Sequence, residues 1–392
     1  MLYQTRIVKA FTIFMFFAAI LLIASCAPKE RIAQSQLDTP EHHAYTGLKL
    51  LGEEKYADAQ REFELAIQLD AKYSKGYTGV GLVKIYTGDF NAAEDYLKKG
   101  WKYAKTDEEK IFVHVSRIRY YVQGQIKVEK KWLKLSQNEF DDAIKLDPRH
   151  APAYYFMGLA YKVGLEFNQA GQMFTKVLEL KSEYVAEADI QWNFIQKVQR
   201  ALPGTTTGKQ IALVECLTRA DAAALFMEEF KIETLYKKRT QKTFDTSFKD
   251  PEKAAVVAKP VKITAKDIGD HPLRTDIEGI LQLGVRGLEN YPDGNFHPAE
   301  LVTRAAYAMM IEDILIKVSG DNSLATKFIG TTSPFPDLRA DLPYFNAVMV
   351  VTSRGIMEAK DLTTAEFAPL SPVAGVDALL IIRKLQGELK FN

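Results

Sequence analysis

Small and apolar positions recur along this chain at three distinct spacings, and each predicts a different kind of segment. From Ala10 to Ile23 stands an uncharged, mainly apolar run of 14 residues, preceded by Arg6 and Lys9 with no acid. A membrane-spanning helix needs roughly 20 apolar residues, so this run reads as the core of an export signal. Ala27 to Pro40 is polar and aperiodic, a tether. From about residue 40 the period becomes 34: Gly47 with Gly81, Ala59 with Ala93, Tyr56 with Phe90, Phe63 with Leu97, then Gly124 with Gly158 and Phe140 with Phe174. Small residues let paired helices approach and aromatics fill the gap to the next pair. Four stacked helix pairs are therefore predicted at about 40–73, 74–107, 108–150 and 151–182. The third is about nine residues too long and has Ser136 where the small alanine of its second helix should stand.

From about Glu183 the period changes again. The clearest copy runs Asp270-His271-Pro272, a helix from Ile277 to Val285, Arg286-Gly287-Leu288-Glu289, and a loop from Tyr291 to Pro298. Val302-Thr303-Arg304-Ala305 then opens a second helix through Ile316. A later copy has Phe335-Pro336-Asp337, a helix around Tyr344 to Thr352, Arg354-Gly355-Ile356, Phe367-Ala368-Pro369 and a closing helix from Val373 to Gln386. Phe296 and Phe367 are 71 apart, as are Pro298 and Pro369. An earlier copy keeps a helix at Ile190 to Ala201, a glycine-rich turn from Pro203 to Gly208, and Leu217-Thr218-Arg219-Ala220-Asp221. A linker near 231–266, rich in Lys and Thr, separates copies one and two.

These patterns resemble known families. Ile23-Ala24-Ser25-Cys26 resembles a bacterial lipobox, which implies that residues 1–25 are a lipoprotein signal peptide and that Cys26 is cleaved and lipidated. Ala27 after the cysteine resembles lipoproteins passed on to the outer membrane. Gly158-Leu159-Ala160-Tyr161, Ala170, Phe174 and the terminal Asp147-Pro148 resemble the tetratricopeptide repeat. That likeness implies a helical solenoid over 40–182, whose concave face of first helices binds a protein or peptide, with Lys75, Thr78, Tyr86, Tyr155 and Lys162 at matching positions. The three later copies, over 183–392, resemble the S-layer homology domain, through Arg286-Gly287, Gly294-Asn295-Phe296-His297-Pro298 and Val302-Thr303-Arg304-Ala305. In that family three modules hold cell-wall glycan in the grooves between them. The resemblance implies glycan-binding roles for Arg219 and Arg304, and weaker ones for Arg286, Gly287 and Gly294. A guanidinium fork matches a carboxylate, and a helix N-terminus adds free N–H groups. Exposed arginines of this kind would lose glycan binding on substitution and leave folding nearly intact. The third copy has Ala374-Gly375 where Thr-Arg should stand, so at most two ordinary pockets are expected. The fold class is thus all-α: a tetratricopeptide-type solenoid, then a mainly helical three-module domain of S-layer homology type.

Composition narrows the function. The chain is 47% hydrophobic and 26% charged, enough for a real core. Fifty-one basic and 50 acidic residues leave a net charge of +1, which gives no general pull toward nucleic acid. With Cys26 consumed, Cys216 alone excludes an internal disulfide. No catalytic spacing stands out. Gly204-Thr205-Thr206-Thr207-Gly208-Lys209-Gln210 falls one residue short of a phosphate loop and has Gln210 where Ser or Thr should hold magnesium. His42-His43 reads as a solvated helix start, not a metal site. The expectation is a non-enzymatic envelope lipoprotein without cofactor or metal, facing the periplasm from the outer membrane. It would bind a protein partner through the solenoid, peptidoglycan or another wall glycan through the C-terminal half, and the membrane through its lipid. The alternative is an assembly factor for outer-membrane protein insertion or for pilus or secretion machinery, its C-terminal half purely structural. Mass spectrometry of the mature protein tests the anchor: Cys26 is expected as an acylated first residue, and an unmodified Cys26 or cleavage elsewhere would end the lipoprotein assignment.

Overall fold

The computed structural model describes residues 31–239 and 263–391. The signal segment, Cys26 and most of the linker's middle lie outside the described residues. The chain divides into two compact units, one ending at Trp192 and the next beginning at Asn193. Among the described residues the elements are helices, joined in places by isolated β-bridges.

The first unit is built of four helix pairs: α1 (Pro40–Gly52) with α2 (Tyr56–Leu69), α3 (Ser74–Tyr86) with α4 (Phe90–Tyr103), α5 (Asp107–Gly124) with α6 (Trp132–Leu146), and α7 (Ala151–Val163) with α8 (Phe167–Leu180). The reason for the 34-residue pattern is visible at its glycines. A Cβ on Gly47 would lie 2.7 Å from the Phe63 ring, one on Gly79 2.2 Å from the same ring, and one on Gly158 2.6 Å from Phe174. Phe63 and Phe174 are fully buried, so the second helix of each pair wedges a ring into a space that only glycine leaves open. Gly124 departs from this scheme despite its spacing from Gly158. It ends α5 and would meet Val128 rather than Phe140, because the extra residues of the third pair lengthen α5 to 18 residues and add a short 3₁₀ turn, Gln125–Lys127. Ser136 is fully buried where the other pairs have Ala59, Ala93 and Ala170, its hydroxyl donating to the Trp132 carbonyl at 3.0 Å. His43 is not solvated. Its ring bridges Asp38 (2.8 Å) and Glu62 (2.6 Å), which ties the stretch before α1 onto the first pair. Those two carboxylates and their hydrogen bonds raise the imidazole's pKa against the opposing effect of burial.

The second unit contains the last residues of α9 (Val185–Ala201), then α10 (Thr206–Ile211), α11 (Arg219–Ala224) with a π-turn to Glu229, α12 (Ile232–Arg239), α13 (Arg274–Leu283), α14 (Arg304–Ser319), α15 (Phe345–Ser353) and α16 (Gly375–Phe391). Two sequence expectations need correction. The linker opens on a helix, with Ile232 fully buried in it, and closes on the buried Ala265. The glycine-rich turn is half helical, because Thr205 accepts the Gly208 N–H and starts α10. The backbone N–H groups of Gly204 and Thr205 donate to the buried Glu229 carboxylate at 2.8–3.1 Å, and Arg383 pairs with the same group. The loop that glances at a phosphate cradle is therefore filled by the chain's own anion.

The three copies meet in a ring of backbone hydrogen bonds. Leu217 N–H donates to Val373 O at 2.7 Å, Val302 N–H to Leu217 O at 2.8 Å, and Val373 N–H to Val302 O at 3.1 Å. All three residues are buried. Two residues further along, Arg219 N–H reaches Glu300 O, Arg304 N–H reaches Ser371 O, and Gly375 N–H reaches Val214 O, each at 2.9 Å. The cycle explains why the third copy lacks its arginine. A Cβ on Gly375 would lie 1.7 Å from Ile211 O, so the backbone of copy one occupies the place of a side chain. Thermal unfolding tests this. Gly375→Ala is expected to cost about 3 kcal/mol, the upper end for overpacking. Gly387→Ala in the same helix, where nothing lies within 4 Å, should be neutral or gain about 0.5–1 kcal/mol. Equal melting shifts for the two variants would contradict the close approach.

Candidate functional site

Two sets of candidate side chains can be traced from sequence to place. In the first unit the first helices α1, α3, α5 and α7 pack in succession. On them Tyr86, Arg119 and Phe156 form a connected group: Arg119 Nε donates to Tyr86 Oη at 3.0 Å, and its guanidinium lies 5.1 Å from the Tyr86 ring and 4.5 Å from Phe156. Tyr155 stacks on Tyr184 at 4.7 Å, and burial pushes its phenol up to about 12. Lys162 Nζ donates to Gln191 Oε1 at 2.8 Å. Lys75 pairs with Glu108 at the surface. Thr78 does not join them. It is fully buried, its hydroxyl bonds the Ser74 carbonyl at 3.0 Å, and it fills the space left by Gly100. The motif position was legible in the sequence, but the direction of Thr78 was not. Arg119 and Tyr184 were missed because they stand outside the family's matching positions.

In the second unit Thr218 and Thr303 cap α11 and α14 through their hydroxyls, and Asp221 completes a capping box with Thr218. The arginine after each cap is buried, 6% exposed for Arg219 and 9% for Arg304. They are neither exposed forks nor members of buried ion pairs. Arg219 Nε donates to Phe296 O at 2.8 Å, Nη1 to Gly287 O at 2.6 Å and Nη2 to Glu289 O at 2.8 Å, with the guanidinium over the Phe296 ring. Arg304 repeats this in the next copy, bonding Phe367 O through Nε at 2.7 Å and Glu358 O through Nη2, over the Phe367 ring. Each arginine thus clips its own helix start to the loop of the following copy. A carboxylate supports each loop from below: Asp267 accepts the Phe296 and His297 N–H groups, both at 2.8 Å, and Asp337 accepts those of Phe367 and Ala368. Burial raises the Asp267 carboxyl, but those N–H bonds outweigh it and hold the group below its usual range. Asp337 was in view in Phe335-Pro336-Asp337, and its place 30 residues before Phe367 was the signal that would have found Asp267.

Both arginines form the floors of grooves. One, of about 370 Å³, is walled by Gly287, Glu289, Tyr291, Glu300 and Met310 beside Arg219. The other, of about 570 Å³, is walled by Met357, Glu358, Lys360, Asp377 and Lys384 beside Arg304, with Lys197 and Arg200 at its edge. Gly287 holds a positive φ of 85°. Gly294 stands in the loop turn, also at positive φ, under Lys266, and lines neither groove. Arg286 is not on a groove wall either. It is the counter-ion of the buried Glu312 at 3.0 Å. Burial raises the Glu312 pKa, and Asp276, also raised by burial, stands at about 6; neither lines a groove. Among the described residues no group of three His, Cys, Asp or Glu side chains is placed to hold a metal ion.

Known proteins share parts of this geometry. Residues 288–308, which run from the Arg219 groove through the Arg304 helix start, match the S-layer homology domain. Tetratricopeptide repeat protein 6 of Homo sapiens is 28% identical over 141 residues, which is 36% of this chain and 25% of that protein. The chain thus spans about a quarter of that relative's length. The crystal structure of YrrB, described as a TPR protein with an unusual peptide-binding site, aligns at 15% identity with a TM-score of 0.18, over 38% of this chain and 90% of that one. The solenoid assignment rests on the helix pairs and their glycine–aromatic contacts, not on that score. The chain is therefore similar to two classes of protein: a tetratricopeptide-type helical array stands first and S-layer homology repeats come after it. Both are modules that bind, and the second is of the cell-envelope kind.

The clip geometry makes a stability prediction. Arg219→Ala leaves three backbone carbonyls without their donor and is expected to cost about 3 kcal/mol, read by calorimetry of the full chain. Arg219→Lys should recover under half, since a point ammonium cannot serve three acceptors in a plane. An unchanged transition in Arg219→Ala would show that the clip holds nothing.

Proposed function

We propose that this chain is a cell-envelope lipoprotein that holds a protein partner on the first-helix face of its helical array and touches peptidoglycan or another wall glycan through the grooves of its C-terminal unit. The observation that carries the reading is the repetition of one groove plan. Arg219 and Arg304 each clip a helix start to the next copy's loop, and each clip is the floor of an open groove. Repeated concave sites of a few hundred Å³ suit short oligosaccharide segments. The arginines act there as builders of the groove, with glycan contact falling to the walls. The aromatic and guanidinium group of Tyr86, Arg119, Phe156, Tyr155 and Tyr184 suits an extended peptide, since such rings supply contact area at low entropic cost. In this reading Cys26 carries the lipid, and the outer membrane's periplasmic face is the site of action.

A second reading has one observation in its favour. Because both arginines are buried and bonded to backbone, the C-terminal unit also suits a purely structural role in an assembly factor for outer-membrane proteins, pili or secretion machinery. Sedimentation with purified sacculi separates the two. The exported chain is expected to pellet with sacculi, while Tyr155→Ala/Lys162→Ala still pellets but loses its crosslinked protein partner. A chain that stays in the supernatant would sink the wall-binding reading, and a double variant that keeps every crosslinked partner would remove the concave face as the peptide site.

A further inference from the structure

The two grooves share a floor plan, but their walls carry opposite charge. Beside Arg219 the wall has two carboxylates, Glu289 and Glu300, and no second cation. Glu289 accepts the Gly287 N–H at 2.7 Å and Glu300 accepts the Tyr291 hydroxyl at 2.9–3.0 Å. Both are thus fixed in place, and they outnumber the single guanidinium, whose donors already serve three carbonyls. The groove over Arg304 has five cations, Lys197, Arg200, Arg304, Lys360 and Lys384, against two carboxylates, Glu358 and Asp377. Lys384 pairs with Glu358, and Lys197 approaches Asp377 at 3.7 Å. Among the described residues Arg200 and Lys360 form an ion pair with no carboxylate, and both are exposed. Arg304 also makes one bond fewer than Arg219: the Nη1 bond to the glycine carbonyl has no counterpart. Beside these cations lies apolar surface, Ile356, Met357, Leu380 and Ile381, with Leu362 81% exposed at the rim. Cations ranged beside an apolar shelf fit a ligand that carries carboxylate or phosphate on a ring with apolar faces.

Resting on the glycan reading above, we infer that the Arg304 groove is the anion-selective site of this protein, with Arg200 and Lys360 as its discriminating cations and an acidic oligosaccharide as its ligand, and that the Arg219 groove rejects such a ligand. The argument is one of charge at close range. With a Debye length of about 8 Å at physiological salt, a groove's own charges dominate its choice of ligand. A net excess of cations therefore draws an acidic sugar to one groove, and a net excess of carboxylates repels it from the other. Neither Arg200 nor Lys360 belongs to the Thr-Arg motif. Arg200 lies near the C-terminus of α9 and Lys360 in the loop after α15, so the selectivity comes from residues outside the repeat.

Calorimetric titration of the full chain with trigalacturonate, chitotriose and triglutamate tests the inference beside sacculus sedimentation. The expected result is one trigalacturonate bound per chain, more tightly than chitotriose or triglutamate. Arg200→Ala/Lys360→Ala is expected to weaken trigalacturonate about tenfold or more while the melting temperature stays put, since both side chains are exposed. If the chain sediments with sacculi but binds trigalacturonate no better than chitotriose, or if the double variant binds unchanged, the charge assignment falls and the glycan reading stands. Triglutamate binding as tightly as trigalacturonate would overturn the carbohydrate class and point to an acidic peptide. A chain that neither sediments nor titrates defeats both.

Discussion

The C-terminal unit depends on three backbone hydrogen bonds that close on themselves. Leu217, Val302 and Val373 each donate to the preceding member of the ring and accept from the next, and each is buried. A buried N–H or carbonyl without a partner costs about 1–3 kcal/mol, so no copy can leave the ring without orphaning groups in the other two. The ring also sets the register of the helix starts. Two residues on, the chain enters a helix at Arg219, Arg304 or Gly375, and that position must face the loop of the next copy. Two of these positions carry a clip; the third, pressed on Ile211, can carry no side chain at all. The grooves exist because the clips hold the loops open beside the helix starts.

Much of this was legible in the sequence and some was not, for reasons that differ by residue. The 34-residue period was readable because a glycine facing a ring is a demand on composition: Phe63 admits nothing larger at Gly47 or Gly79. The Thr-Arg starts were readable because capping requires a hydroxyl at one position. What a spacing cannot report is which way a side chain points once tertiary packing decides. Thr78 fits the pattern of a groove residue, yet it turns inward because Gly100 leaves room for it. Gly124 fits the glycine spacing by coincidence, since the extra residues of the third pair shift the register of its helix. Arg219 and Arg304 fit the pattern of ligand-facing arginines. Their forks instead meet backbone carbonyls of loops 54 to 77 residues away, which no local pattern reveals.

Divergence between the copies also lies outside the motif. The shared part, cap, arginine, aromatic and supporting aspartate, builds a groove and is held by geometry. The variable part, Glu289 and Glu300 in one copy and Lys360 and Lys384 in the other, sits on the rim where substitution costs little stability. Such a division lets repeats keep one architecture while their ligand preferences separate. The helical array solves a similar problem differently, repeating its glycine–aromatic contacts while the first-helix face gathers Tyr86, Arg119 and Tyr155.

The central claim is that the backbone ring makes the three copies one cooperative body. Amide hydrogen exchange of Leu217, Val302 and Val373 in the full chain measures this directly. The account predicts that all three exchange together, as slowly as any amide of the C-terminal unit, and that Gly375→Ala accelerates all three by the same factor. Exchange of any one amide well ahead of the other two would contradict it, for it would show a copy opening by itself.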